Sequence, residues 1–478
     1  MRAFFLMIPL GLSGCGLFFG DVEGTTSTSG TGAGTAGTGA GGEGGKGAAG
    51  ECTKPRLGAD WVQSFAGAQA EDALLVGGDL VVVGTAVGGD GCELIEGATE
   101  GERTVLVRFR ASDGELLAVL DLGPAPIGLP GPVSLSRGEH AAGPHVAWIS
   151  GSGPQLTLCV SSLAALDGPT PVTAEQPCGP MPAFRAKPTT AIQQIVVAAS
   201  SPPVVGFAAM AAGTLNETAP ELNTVESVYG ANKFRFVRLG PNPTGFFGGS
   251  AMGGILSISA SHVEMVGMNG GVTLSGRCDQ ADLGDMSCPA HTYFSRLFDP
   301  VGAVISVSTL IATGEVTLDT QRLVPAPQGP AFGYSPGGSE AIGWANGWGE
   351  IESSPVVSNG APTPTVVDAA HDAPASGVAF AGVLGGSIEA AECLPGGCPF
   401  WAVGRGSMLA AESFVVEGGT CGEPGQGRVK GLAIDGTADP GRAFLAGTYS
   451  CGAIDFGGAR TFRAGVAKAM FVTSRPKL

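Results

Sequence analysis

Few residues in this chain have the types and spacing to do chemistry. Gly333-Tyr334-Ser335-Pro336-Gly337 matches the hydrolase elbow G-x-S-x-G, in which the amide N–H after the serine stabilises an oxyanion. That position is Pro336, which has no N–H, so the segment reads as a loop turn. Asp279, Asp282 and Asp285 recur at every third position between Cys278 and Cys288. Hard oxygen ligands in one loop are a candidate Ca²⁺ site, but the alternation and terminal Glu of an EF-hand are missing. A solvated loop closed by a disulfide is the competing reading. Cys278, Cys288 and His291 come nearest to a zinc set and lack a fourth ligand. No metal or other cofactor is therefore expected. Trp344 and Trp348 lie four apart among Gly and Asn. They form either an exposed aromatic platform for a sugar or peptide, or packing between sheets. His140, His145, His262, His291 and His371 are scattered and read as structural or solvated. Asp455-Phe456-Gly457 copies a kinase tripeptide without the other kinase motifs, and reads as a strand-to-turn step.

The elements that carry these residues must be strands. The 478 residues include 81 Gly and 34 Pro, and after position 50 no long stretch is free of both. Each interrupter costs a helix interior about 1 kcal/mol for Gly and about 3 for Pro. Bundles, coiled coils and doubly wound α/β folds are excluded on that ground. With 44% hydrophobic and 14% charged residues the chain can nevertheless bury a core. Its net charge of −17, with no basic run, argues against nucleic acid as a partner.

One pattern recurs along the chain: a short apolar strand reaching a small residue, then a polar loop. It appears at 79–84, 145–150, 204–209, 262–267, 340–343, 378–382 and 442–447, mostly at similar spacings; the fifth occurrence is irregular, and Phe332-Gly333 is an equally good register for it. Further strands follow many of these, as at 105–109 before the Asp113-Gly114 turn, 234–238, 293–297 and 469–472. Seven units of this length allow four antiparallel strands each, with the excess in loops. The expected fold is all-β, a β-propeller of seven blades spanning 51–478. Stacking sheets around an axis hides edges that one open sheet would expose. Trp61-Val62-Gln63-Ser64-Phe65 has no preceding partner, and the unit from Arg442 ends abruptly at Leu478. Those two halves are expected to complete one blade and close the ring. A string of β-sandwiches would need clearer linkers than the chain contains after residue 50.

The N-terminus reads as an address. Arg2 precedes an apolar stretch from Ala3 to Leu12, followed at once by Leu12-Ser13-Gly14-Cys15. These four residues resemble the bacterial lipobox. The resemblance implies removal of residues 1–14, acylation of Cys15 and anchoring in a membrane through its acyl chains. Gly16, where enteric sorting would read Asp, implies the outer membrane. Residues 15–50 follow as lipidated Cys and tether, and Gly24 to Gly50 is nearly pure Gly, Thr, Ser and Ala. Such a chain buries too little surface to order, and as a coil it spans roughly 25–30 Å. With Cys15 assigned to lipid, ten cysteines remain, an even number that suits an oxidising compartment. Sequence neighbours suggest Cys159–Cys178, Cys278–Cys288, Cys393–Cys398 and Cys421–Cys451, leaving Cys52–Cys92.

Phe444-Leu445-Ala446-Gly447-Thr448-Tyr449, Ile454-Asp455-Phe456-Gly457-Gly458, Ala464-Gly465 and Ala469-Met470-Phe471-Val472 resemble the SBBP-type β-propeller repeat of bacterial surface proteins. The first unit keeps the opening Trp61 and Phe65, the Gly84 strand and the Asp113-Gly114 turn, without Asp-Phe-Gly. The resemblance implies a surface-exposed propeller lipoprotein and transfers no catalytic residues. The expected role is a non-catalytic binding or display module of the cell envelope, its ligand an unspecified protein or glycan. The alternatives are a polysaccharide lyase or hydrolase on the same scaffold, or a purely structural envelope protein. The enzyme would need titratable groups converging at the axial mouth.

Overall fold

The computed structural model describes, with most side chains, residues 60–88, 94–95, 101–126, 133–136, 144–150, 157–166, 377–388, 391–393, 397–418, 425–437, 441–456, 461–464 and 468–478. Strands between 184 and 372 are described by their backbone path, with side chains at 342–344 and 370 only. Nearly every described element is a strand; one helical turn, Leu163–Leu166, interrupts them.

Four sheets contain four antiparallel strands each. The N-terminal sheet runs Ala68–Val76, Asp79–Ala86, Arg103–Arg110, Leu116–Pro124 in sequence order. A second runs Arg322–Val324, Ala331–Tyr334, Ala341–Asn346, Ile351–Pro355, and a third Thr365–Asp372, Gly377–Leu384, Cys398–Arg405, Met408–Ser413. The closing sheet takes Gln426–Asp435, Arg442–Ser450 and Ala469–Pro476 from the C-terminus and Val62–Ala66 from the N-terminus. Between residues 133 and 312, eleven strands form one hydrogen-bonded array. The expected closure is present: Val62 pairs with Thr473 and Ala66 with Ala469, antiparallel.

Sheet stacking explains why the recurrent apolar strands are continuous rather than alternating. Along Asp79–Ala86, Leu80, Val82 and Ala86 pack with Phe444, Met470 and Val472 of the closing sheet. Val81 and Val83 point the other way and pack with Val133, Leu135, Val146 and Trp148. In Arg442–Ser450, Phe444 and Ala446 join the first of these cores, while Ala443, Leu445 and Tyr449 join Ala379 and Trp401. Gly377–Leu384 divides likewise, with Val378, Phe380 and Leu384 packing on Ile342 and Trp344. Each of these sheets thus shares a core with both neighbours, and the period-2 alternation of a strand becomes alternation between two cores. Each fully buried Val, Leu or Phe contributes about 1.5–3 kcal/mol.

The first strands of successive units touch in cyclic order: 68–76, 133–135, 191–200, 256–268, 322–324, 365–372, 426–435 and back to 68–76. A cycle of sheets stacked face to face and closed on itself is a β-propeller. Gly114, expected in a turn, has φ +72°, and a Cβ there would overlap the Trp61 indole.

Candidate functional site

Where the two chain ends meet, the closing and N-terminal sheets make a seam of unusual polarity. Their first strands each contain a β-bulge: the register breaks between Ala70 and Asp72, and between Val429 and Gly431. Each break inserts one extra residue, Glu71 and Lys430, and a bulge re-aims the residue it inserts. The two meet, with Lys430 Nζ 3.0 Å from Glu71 Oε2. First strands elsewhere break register at the corresponding place, between Ile192 and Gln194 and between Val366 and Asp368. The sheets can approach because Gly431 has no side chain; a Cβ would collide with the Ala73 backbone nitrogen. Asp72, fully buried, accepts from the Leu135 N–H (2.9 Å) and so ties this strand to the next unit.

Beside the seam lies a cleft of about 320 Å³, lined by Val383, Gln426, Gly427, Arg428, Thr448, Tyr449, Ser450 and Lys468. The positions come from local pairing. Gln426, Gly427 and Arg428 oppose Ser450, Tyr449 and Thr448 across one ladder, and Lys468 precedes the strand that receives the N-terminus. The Thr448 hydroxyl accepts from the Ala70 N–H (3.2 Å), joining the cleft wall to the N-terminal sheet. Lys468 Nζ donates to Gln69 Oε1 (3.0 Å); Gln69 Nε2 and the Thr85 hydroxyl both donate to Glu102 Oε1, at 3.0 and 2.5 Å. The buried Tyr449 hydroxyl shares a hydrogen bond with Ser64 Oγ (2.8 Å). Burial pushes its phenol above the ordinary value near 10, and the Ser64 bond opposes that rise. At neutral pH Tyr449 is therefore an uncharged wall. Among the described residues the cleft lining contains no carboxylate and no imidazole. It can bind through amide, hydroxyl and cationic donors.

The structure treats the sequence candidates unevenly. Trp344 is 2% exposed, its ring stacks on Phe380 with centroids 6.1 Å apart, and its Nε1–H donates to the Gly406 carbonyl (3.1 Å). It is packing between sheets, which corrects the exposed-platform reading for this residue; Trp348 lies outside the described residues. A large flat ring suits the space between two stacked sheets, and its N–H finds a partner there. Cys393 and Cys398 form a disulfide with Cα atoms 5.7 Å apart. Cys159 and Cys451 are also disulfide-bonded, each to a cysteine whose side chain lies outside the described set. Cys15, Cys52, Cys92, Cys178, Cys288, Cys421, Asp279, Asp282, Asp285, Ser335 and His291 lie outside the described residues, and Cys278 is described only as the end of strand Gly271–Cys278. Among the described residues no group of three or more His, Cys, Asp or Glu side chains could hold a metal ion. His145 is buried at the start of its strand. Asp455 ends the strand Gly452–Asp455 of a small side sheet, outside the four-stranded blade, and Phe456 is buried; Gly457 lies outside the described residues. Sequence reasoning missed Arg428, Lys468, Glu71 and Lys430. No local signal marks them, since their placement depends on bulges and on contacts between distant strands.

No protein family matches the chain by sequence, and no curated protein does either. Solved structures similar in strand arrangement include an acylaminoacyl peptidase of Pyrococcus horikoshii, at 10% identity and TM-score 0.39, over 79% of this chain and 51% of that one. This chain therefore spans about half the length of that peptidase. A Dyadobacter fermentans protein of unknown function gives 8% identity and TM-score 0.37, over 87% and 99% of the two chains. The β-propeller domain of the trilobed protease of Pyrococcus furiosus gives 8% and 0.32, over 72% and 96%.

Proposed function

We propose that this protein is a lipid-anchored envelope lipoprotein whose seven-bladed propeller binds a ligand at the seam cleft without transforming it. The observation that carries the binding reading is the cleft itself. It is a concave site at the ring closure, furnished with hydrogen-bond donors and lined, among the described residues, by no carboxylate or imidazole. Its one phenol is engaged by Ser64 and kept neutral by burial. The seven-blade reading is supported by the seven first strands in cyclic contact, with the eleven-stranded array read as three units. The anchor rests on Leu12-Ser13-Gly14-Cys15 behind a short apolar leader, and the Gly-rich segment 24–50 lets the domain reach away from the lipid surface.

Two measurements test this. Metabolic labelling with a fatty-acid analogue should mark the wild type and not Cys15→Ala; continued labelling of the variant removes the anchor. The purified propeller, incubated with a panel of neutral and acidic glycans, should retain at least one of them intact on a column. Appearance of shortened or unsaturated products would replace the binding reading with the enzyme.

A further inference from the structure

Five described cations of this acidic chain are held in ion pairs. Arg103 pairs with Asp121 at 2.9 Å, Lys430 with Glu71 at 3.0 Å and Arg442 with Asp60 at 2.7 Å. Arg110 pairs with Asp113 and Glu115, and Arg475 with Glu412. The two described cations on the cleft have no such carboxylate partner among the described residues. Arg428 is exposed on the cleft wall, and its guanidinium has no ion-pair or hydrogen-bond partner among the described residues. Lys468, exposed on the same cleft, donates to the neutral amide oxygen of Gln69 and, among the described residues, to no carboxylate. Acidic residues outnumber basic ones 42 to 25, so a concavity whose described lining holds two cations and no carboxylate runs against the chain's own composition.

We infer that the seam cleft is a site for a carboxylated saccharide, with Arg428 and Lys468 holding the carboxylate. This rests on the binding reading above. A guanidinium fork matches a carboxylate with two parallel N–H···O bonds, and a nearby ammonium adds charge without demanding one geometry. The exposed Gln426 and the half-buried Ser450 on the same wall offer amide and hydroxyl groups to sugar hydroxyls. Val383 supplies an apolar contact for a ring face. A volume of about 320 Å³ is at the small end of ligand sites and suits one acidic residue of a chain rather than a long segment.

The test is calorimetric titration of the full mature domain with trigalacturonate, its neutral galactose counterpart and inorganic phosphate, at low and physiological salt. Trigalacturonate should bind, and added salt should weaken it because the cations are exposed. Arg428→Ala and Lys468→Ala should each weaken binding about tenfold or more, and Arg428→Lys should recover part of the loss. Thermal unfolding of each variant separates lost contacts from lost folding, and Ser407→Ala, on a hairpin that does not line the cleft, should bind like the wild type. Equal binding of the neutral sugar, or trigalacturonate binding indifferent to both substitutions, overturns the charge assignment and leaves the binding reading standing. Phosphate binding as tightly as trigalacturonate overturns the saccharide class in favour of a simple anion site. No binding of either sugar overturns the saccharide assignment, and the glycan panel above then decides the binding reading.

Discussion

Two seams of the ring solve the same packing problem with different chemistry. Between the sheet at 322–355 and its successor, Trp344 stacks on Phe380 and donates its Nε1–H to the Gly406 carbonyl, while Phe380 meets Phe400 of its own sheet edge-on at 6.4 Å. Between the closing and N-terminal sheets, Trp61 plays the comparable part, stacked on Phe109 at 6.0 Å and tilted against Phe444 at 6.3 Å. Polar links are added there. Thr448 pairs with Ala70 and Lys430 with Glu71 across the two sheets; within the closing sheet, Arg442 pairs with Asp60 and Ser64 with Tyr449, while the Thr473 hydroxyl and the Ser474 N–H both donate to the Trp61 carbonyl. The difference follows from connectivity. Inside other sheets a hairpin turn sets the register of neighbouring strands. The strand Val62–Ala66 reaches its partner with no turn to align it, so side-chain bonds and the buried indole must specify the pairing.

Removing the two indoles gives the largest effect and the direct trial of this contrast. Trp61→Ala and Trp344→Ala should each cost about 3–5 kcal/mol. Each strands a backbone carbonyl, Ala111 and Gly406 respectively, and Trp61→Ala should stand at the upper end because it also loosens the closure. Guanidinium unfolding reads both; equal losses would mean the closure is not specially dependent on its tryptophan. Next comes Gly431→Val, expected to cost about 2–3 kcal/mol by forcing the first strands apart. A stability within experimental error of wild type would show that the seam can widen freely. Glu71→Gln should cost about 1–2 kcal/mol, since the partner ammonium loses its counter-charge while keeping some solvent. The double change Glu71→Leu with Lys430→Met should recover much of that loss, and additive losses would deny the coupling. The smallest effect belongs to Tyr449 and appears only in alkali. Its folded pKa lies above the unfolded value near 10, so the folded state holds the proton after the unfolded chain has released it. Its contribution is complete below pH 10 and falls as pH rises through the folded pKa. Tyr449→Phe should flatten that part of the stability profile, and an unchanged alkaline slope would assign it to other groups.

Legibility followed the range of the forces involved. The apolar stretches at 79–84, 145–150, 378–382 and 442–447 fall within strands, and Gly114 occupies a left-handed turn. Those features depend on residues a few positions apart. The pairing of Trp61–Phe65 with the C-terminus was legible too, because an orphan strand and an incomplete last unit imply each other. For Trp344 the sequence left two readings open, an exposed platform and packing between sheets. Gly and Asn around it suggest an exposed loop, whereas the residue faces a neighbouring sheet whose Phe380 arrives from much further along the chain.

Composition and spacing by themselves determined that the chain is made of strands, that Gly and Pro punctuate them, and that the units repeat and close end to end. Helix exclusion, strand alternation and turn formation are local, and a sequence states local preferences directly. The bulges at Glu71 and Lys430, the buried role of Trp344 and the pairing of Arg428 and Lys468 on one cleft, with no carboxylate among its described lining, were decided by tertiary structure alone. A bulge is a mismatch between two strands and has no meaning in one of them. Likewise a cation counts as unpaired only after folding has settled which carboxylates come within reach.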